Sequence, residues 1–192
     1  MRLDPAILAD LAVALIPQAF VRVTPMAHAA TPLGAGFGVT RFASPDRAFK
    51  IIYLAEDLTT SVAETLIRDR FQGKARRRLM ASEVDLWGAT AVSATSPFTL
   101  IDLRTTGVLR LGVSTEAVRG KAQSQGRKLS QAVYEQTNAD GLLYLSRLTG
   151  RTCICLYERA LSGSMTVSPV QPLSRLAEFI PALQALDVSL LT

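Results

Sequence analysis

Apolar residues along this chain switch between a helical and an extended period, and the switches outline its elements. Ile7, Leu8, Leu11, Leu15 and Ile16 fall on one helical face and Pro17 closes it, which predicts an amphipathic helix within residues 1–17. Phe20-Val21-Arg22-Val23-Thr24 then alternates with the composition of a strand. Residues 25–38 carry Pro25, Pro32, Gly34, Gly36 and Gly38 and read as a loop with tight turns. Residues 50–55 predict the next strand. In the helix that follows, Val62, Ala63, Leu66, Ile67 and Phe71 share a face, and either Asp57 or Ser61 can cap it.

Further strands are expected near residues 82–87 and 97–103, with an irregular stretch over 104–120. Leu129, Ala132, Val133 and Gln136 form the stripe of a helix at about 127–137. Asn138-Ala139-Asp140-Gly141 is a turn signal, and residues 142–145 and 152–158 look like a strand pair. A last helix around 173–186 contains Pro181, which should kink or break it. No repeat or long linker divides the chain. The order of elements predicts one α+β domain whose mixed or antiparallel sheet is flanked by helices. Its parts would be the N-terminal helix to residue 17, a core over 20–158 and a C-terminal helical segment over 159–192.

Composition narrows the classes. With 48% apolar and 19% charged residues over 192 positions, the chain is too hydrophobic to be disordered and long enough for one substantial core. Cys153 and Cys155 lie two apart in a strand and so point the same way. With a single histidine they supply too few ligands for a metal, and a reducing, cytoplasmic compartment is the simplest expectation. Arg2, the short apolar run Ala6-Ile7-Leu8 and Ala27-His28-Ala29 imitate a signal peptide. Asp4 and Asp10 interrupt it, so the first helix is expected to be retained. The net charge of +5 and pI near 9.6 favour an anionic partner, whether nucleic acid, dinucleotide or acidic protein. The run Lys74-Ala75-Arg76-Arg77-Arg78 has no interleaved aromatic residue for bases to stack on, and reads as a solvent-exposed turn.

Generic catalytic signatures are missing. There is no Walker-type loop, and His28 stands in the Pro/Gly-rich loop without an obvious partner. Gly34-Ala35-Gly36-Phe37-Gly38 looks like a phosphate cradle but does not join a strand to a helix, so a flexible loop is the better reading. More informative are Arg41-Phe42-Ala43-Ser44-Pro45, Ile52-Tyr53-Leu54-Ala55-Glu56-Asp57 and Ala63-Glu64-Thr65. Asp140-Gly141-Leu142-Leu143-Tyr144-Leu145-Ser146-Arg147 follows later. In this order and separation they resemble the RES domain, found in toxins of bacterial toxin–antitoxin pairs.

The resemblance runs from about Phe20 to Glu158 and implies a fold similar to the ADP-ribosyltransferases, with NAD as the substrate. By position it assigns Arg22 to the arginine of the family's first strand and Arg41 to that of its Arg-aromatic motif. Tyr53 matches the strand tyrosine, Glu64 the helix glutamate, and Ser146 the serine after the Asp-Gly turn. Val39-Thr40 and Ala43 depart from the family pattern around Arg41. The resemblance also implies a cognate antitoxin with a DNA-binding domain that blocks the NAD cleft, and toxin dimers within a larger complex.

The residue types suit that chemistry. Loss of neutral nicotinamide from NAD leaves an oxocarbenium-like ribose, which the carboxylate of Glu64 would stabilise. The planar forks of Arg22 and Arg41 suit a diphosphate. Tyr53 would stack on the nicotinamide ring, and Ser146 would donate a hydrogen bond to the ligand. Each residue also has a structural alternative. Ser61-Val62-Ala63-Glu64 matches a capping box, although a cap at Asp57 would free Glu64 from it. Arg22 reads equally as an exposed strand arginine, Tyr53 as core and Ser146 as a turn cap. The leading expectation is thus an NAD-cleaving toxin that passes ADP-ribose to water, phosphate or a protein. The alternatives are a basic nucleic-acid-binding or RNA-cleaving toxin and a catalytically inactive interaction module.

Overall fold

The central strands are apolar at nearly every position, which buries them on both faces, and the fold follows from that. In the computed structural model, which describes residues 1–71, 74–120, 122–162 and 165–192, the chain opens with helix α1 (Pro5–Leu11) and strands β1 (Ala12–Leu15), β2 (Phe20–Pro25) and β3 (Ile51–Ala55). Helix α2 (Leu58–Val62) continues into a π-helical turn, Ala63–Ile67. Then come β4 (Arg77–Met80), α3 (Ala81–Val84), β5 (Trp87–Ala94), β6 (Phe98–Asp102) and the one-turn helices α4 (Gly107–Arg110) and α5 (Glu116–Arg119). The long helix α6 (Ser124–Gln136) leads to β7 (Gly141–Leu145), β8 (Thr152–Tyr157), β9 (Met165–Val167), β10 (Gln171–Pro172), α7 (Phe179–Ala185) and β11 (Val188–Leu191).

The main sheet runs β1-β6-β7-β8-β3-β2-β5-β10, with β9 also paired to β5. Its pairs are antiparallel apart from the parallel β6–β7 pair, so the sheet is mixed. Alternation sorts its side chains. Ile51, Ala55, Cys153, Cys155 and Tyr157 join one core with α1 and α6, while Ile52, Leu54, Ile154 and Leu156 join another on the opposite face. Phe49 stacks on Tyr134 and meets Tyr157 edge-on, tying α6 to the sheet; such aromatic pairs contribute about 1 kcal/mol each beyond their burial. A third core gathers Val62, Ile67, Leu79, Phe179 and Leu183 beneath the two-stranded β11–β4 sheet.

The sheet is open at one seam. Strands β2 and β3 pair only at Val21–Ala55 and then diverge. The Val23 N–H donates to Ser61 Oγ on α2 (3.0 Å), and Gly36 of the intervening loop forms a single bridge to Ile51. A wedge opens between the two strands, with residues 25–40 over it and α2 beside it.

Several sequence expectations need correction. The first helix stops at Leu11, because residues 12–15 complete the sheet against β6. Asp4 caps it through the Ala6 N–H, and Pro5 occupies its first position. The strand expected near 82–87 is the short helix α3, with strands on either side, since Arg77–Met80 pairs with β11. The basic run therefore enters a strand, and Arg77 Nη1 donates to the Leu186 carbonyl (2.8 Å). Pro181 breaks nothing: α7 begins at Phe179, which puts the proline in the first turn, where no N–H is needed. Residues 173–175 form a separate 3-10 turn.

Candidate active site

The wedge beside β2 holds a cleft of about 670 Å³, a size that suits a small-molecule ligand. Arg22 enters it from β2, Tyr53 and Ala55 from β3, Glu64 and Arg68 from the helix, Tyr144 from β7 and Cys153 from β8. In register across the sheet, Ala55, Cys153 and Tyr144 form one row. The two small side chains beside the tyrosine leave the space.

Glu64 stands in the π-helical turn, where the Arg68 N–H reaches back five residues to the Ala63 carbonyl (2.8 Å). Such bulges occur often at functional sites. Asp57 caps the helix by accepting from the Thr60 N–H (2.7 Å), so Glu64 has no capping duty, and Ser61 is engaged with β2 instead. The Glu64 carboxylate is held at both oxygens. Ser146 Oγ donates to Oε1 (2.7 Å) and Arg68 Nη1 to Oε2 (3.0 Å). Ser146 also accepts from the Leu148 and Thr149 N–H groups, so it organises its turn and orients the glutamate together.

Arg22 projects opposite its neighbours Val21 and Val23. Its Nη2 donates to the Gly34 carbonyl (3.0 Å), whereas its buried Nε finds no acceptor. Among the described residues no carboxylate pairs with it, and burial pushes its pKa down to about 10. A half-buried guanidinium whose Nε–H meets no acceptor suits an anionic ligand. Tyr53 is oriented by its hydroxyl, which accepts from the Phe42 N–H (3.0 Å) and bonds Thr40 Oγ1 (2.9 Å). Burial raises its pKa, so it acts as a neutral phenol.

Arg41 is not brought to the cleft wall. It is buried behind it, with Nη1 donating to the Gly120 carbonyl (2.6 Å), and burial, followed by the repulsion of Arg68, lowers its pKa. Thus Arg22, Tyr53 and Glu64 share the cleft, Ser146 joins through Glu64, and Arg41 supports the loop that leads in.

The family model described as the RES domain matches residues 16–175. The chain belongs to the RES domain family. It is 33% identical over 81 residues to a Sinorhizobium fredii protein described as probable toxin y4kH; the match takes in 42% of this chain and 64% of that protein, somewhat under two thirds of its length. The fold is similar to that of a chain in the crystal structure of the M. tuberculosis MbcT–MbcA toxin–antitoxin complex. There the TM-score is 0.66 at 18% identity, over 96% of this chain and 98% of that one.

Among the residues of this RES domain's cleft that escaped the sequence reading of the site are Arg68, Tyr144 and His28. Arg68 was detectable as a cation four positions after Glu64, the spacing of a helical ion pair. Tyr144 precedes Ser146 by two on a strand and so shares its face. His28 lines the cleft despite its isolation in sequence; nothing local predicts which way a loop folds.

Proposed function

We propose that this RES domain is a toxin that cleaves the nicotinamide–ribose bond of NAD. The observation that carries the reading is a carboxylate, Glu64, fixed at both oxygens in a cleft that also holds Arg22, a half-buried guanidinium whose buried Nε–H is unmet. The first feature suits a developing cation and the second a diphosphate, and NAD presents both groups on one molecule.

In the reaction the bond between the ribose anomeric carbon and the pyridinium nitrogen breaks. Its electron pair goes to that nitrogen, and nicotinamide leaves neutral. The positive charge passes to the ribose as an oxocarbenium, which the negative charge of Glu64 stabilises. An acceptor oxygen of water, phosphate or a protein then bonds to the anomeric carbon and gives up its proton. Arg22 takes diphosphate oxygens at its unmet N–H, and Tyr53 presents its ring to the nicotinamide. Arg41 adds positive potential from behind the wall, and Ser146 keeps Glu64 aimed.

The named toxins among its relatives support a cognate antitoxin for this chain as well. We take that partner to carry a DNA-binding domain and to cover the cleft, with toxin dimers in the complex. Inducible expression in bacterial cells tests the reading. The wild-type protein should stop growth as cellular NAD falls, and Glu64→Gln, made at the same level, should do neither. Growth arrest at constant NAD, or equal toxicity of the two proteins, would refute it.

A further inference from the structure

Glu64 is enclosed as well as aimed. Its side chain is 13% exposed and that of Arg68 is 10% exposed. A carboxylate so enclosed needs a partner that offsets its lost hydration, and its charge is what stabilises an oxocarbenium. Ser146 offers a neutral hydroxyl, which fixes direction and supplies no charge. We propose that Arg68 is the positioning residue that supplies the counter-charge to Glu64 and keeps it aimed into the cleft.

Local geometry supports this. Arg68 follows Glu64 by one helical turn, and its Nη1 lies 3.0 Å from Glu64 Oε2. On its other side Arg68 Nε faces Asp69 Oδ2 (3.4 Å), and the guanidinium is bracketed by two carboxylates. The Arg68 pKa is raised: burial opposes its charge, but the attraction and hydrogen bond of Glu64, with help from Asp69, outweigh it. The bond to Arg68 takes one lone pair of Oε2, and a carboxylate so held still has acceptor sites for a ribose hydroxyl. Among the described residues, Tyr144 on β7, Cys153 on β8 and Arg41 behind the wall also interact electrostatically with Glu64, and Asp69 shares the cleft. The two aromatic and thiol groups are buried with raised pKa values, which keeps them neutral. Arg41 is committed to the Gly120 carbonyl.

The inference rests on the NAD-cleaving reading for its catalytic consequence, and its electrostatic content can be read without turnover. Carbon-13 NMR of the Glu64 side-chain carboxyl, identified by its absence in Glu64→Gln, gives the titration midpoint in the ligand-free protein. In Arg68→Gln the midpoint should rise by about 1–3 pH units, and Arg68→Lys should return most of the shift. With NAD, Arg68→Gln should lower kcat by about 10- to 100-fold with KM within about threefold, and the lysine variant should recover most of the rate. Where Arg68→Gln does not fold, Arg68→Met, which keeps the apolar stem, provides the same comparison.

An unchanged midpoint would overturn the assignment. So would an unchanged kcat with a raised KM, because Arg68 would then be gripping substrate. If the wild-type protein consumes no NAD and the midpoint still moves, the assignment of Arg68 as the counter-charge of Glu64 stands and the proposed reaction falls.

Discussion

At the scale of residues, the unusual groups are cations and thiols held where water is scarce. Burial holds the Arg22 pKa at about 10, below the ordinary range of a guanidinium. Burial disfavours its charged form, so the cost of folding with Arg22 protonated is present in full below about pH 10 and is relieved as pH rises above it. An anion on the guanidinium favours the charge again. Affinity for ADP-ribose, measured by calorimetry, should therefore show no loss through Arg22 up to about pH 9 and should weaken as pH passes about 10. Arg22→Gln should bind about 10- to 100-fold more weakly and lose that alkaline decline. The thiols of Cys153 and Cys155 are raised by burial, Cys153 further by the charge of Glu64. Iodoacetamide at pH 7.5 should leave both intact in native protein and modify both once it is unfolded, as mass spectrometry would show. Motif order and periodicity could place Arg22 on its strand and Glu64 on its helix, both of which border the cleft. Arg41 was less legible, since its long chain turns to a carbonyl of residue 120 that the sequence does not bring near it.

Among the elements, the helix carrying Glu64 depends on its first turn. Asp57→Ala removes the acceptor for the Thr60 N–H and should cost about 0.5–2 kcal/mol in urea unfolding, with an unchanged denaturant slope. It should also lower nicotinamide release, because the turn that positions Glu64 begins there. Gly141→Ala should be worse, since a β-carbon at Gly141 would run into the Cys155 carbonyl and part β7 from β8. Most elements were readable from periodicity: β2, β3, α6 and the β7–β8 pair lie where the pattern put them. The failures have a shared cause. Residues 12–15 suit a helix or a strand equally, and the open edge of β6 decides for strand. Arg77–Met80 becomes a strand by pairing with residues more than a hundred positions away, which no local window reports. The π-helical turn likewise carries no signature in composition.

Across the whole molecule, the cleft follows from a sheet that fails to close. Among the described residues its nine strands share two or more register pairs at every other seam, and the one seam with a single pair, β2–β3, becomes the cleft. The sequence marked strands on both sides of this seam but held no sign that they diverge, because divergence comes from Ser61 and Gly36 taking the hydrogen bonds a full ladder would use. The surplus of positive charge fits an anionic substrate, and the association rate for NAD should fall as salt rises from about 50 to 500 mM. The central claim is that Glu64 in this cleft drives loss of nicotinamide from NAD. Proton NMR of NAD mixed with the purified protein tests it most directly, run in water alone, with phosphate and with cell lysate. The account predicts free nicotinamide and an ADP-ribose product with the wild-type protein, and at least about 100-fold less with a folded Glu64→Gln. Intact NAD in all three mixtures, or equal release by the two proteins, would contradict it.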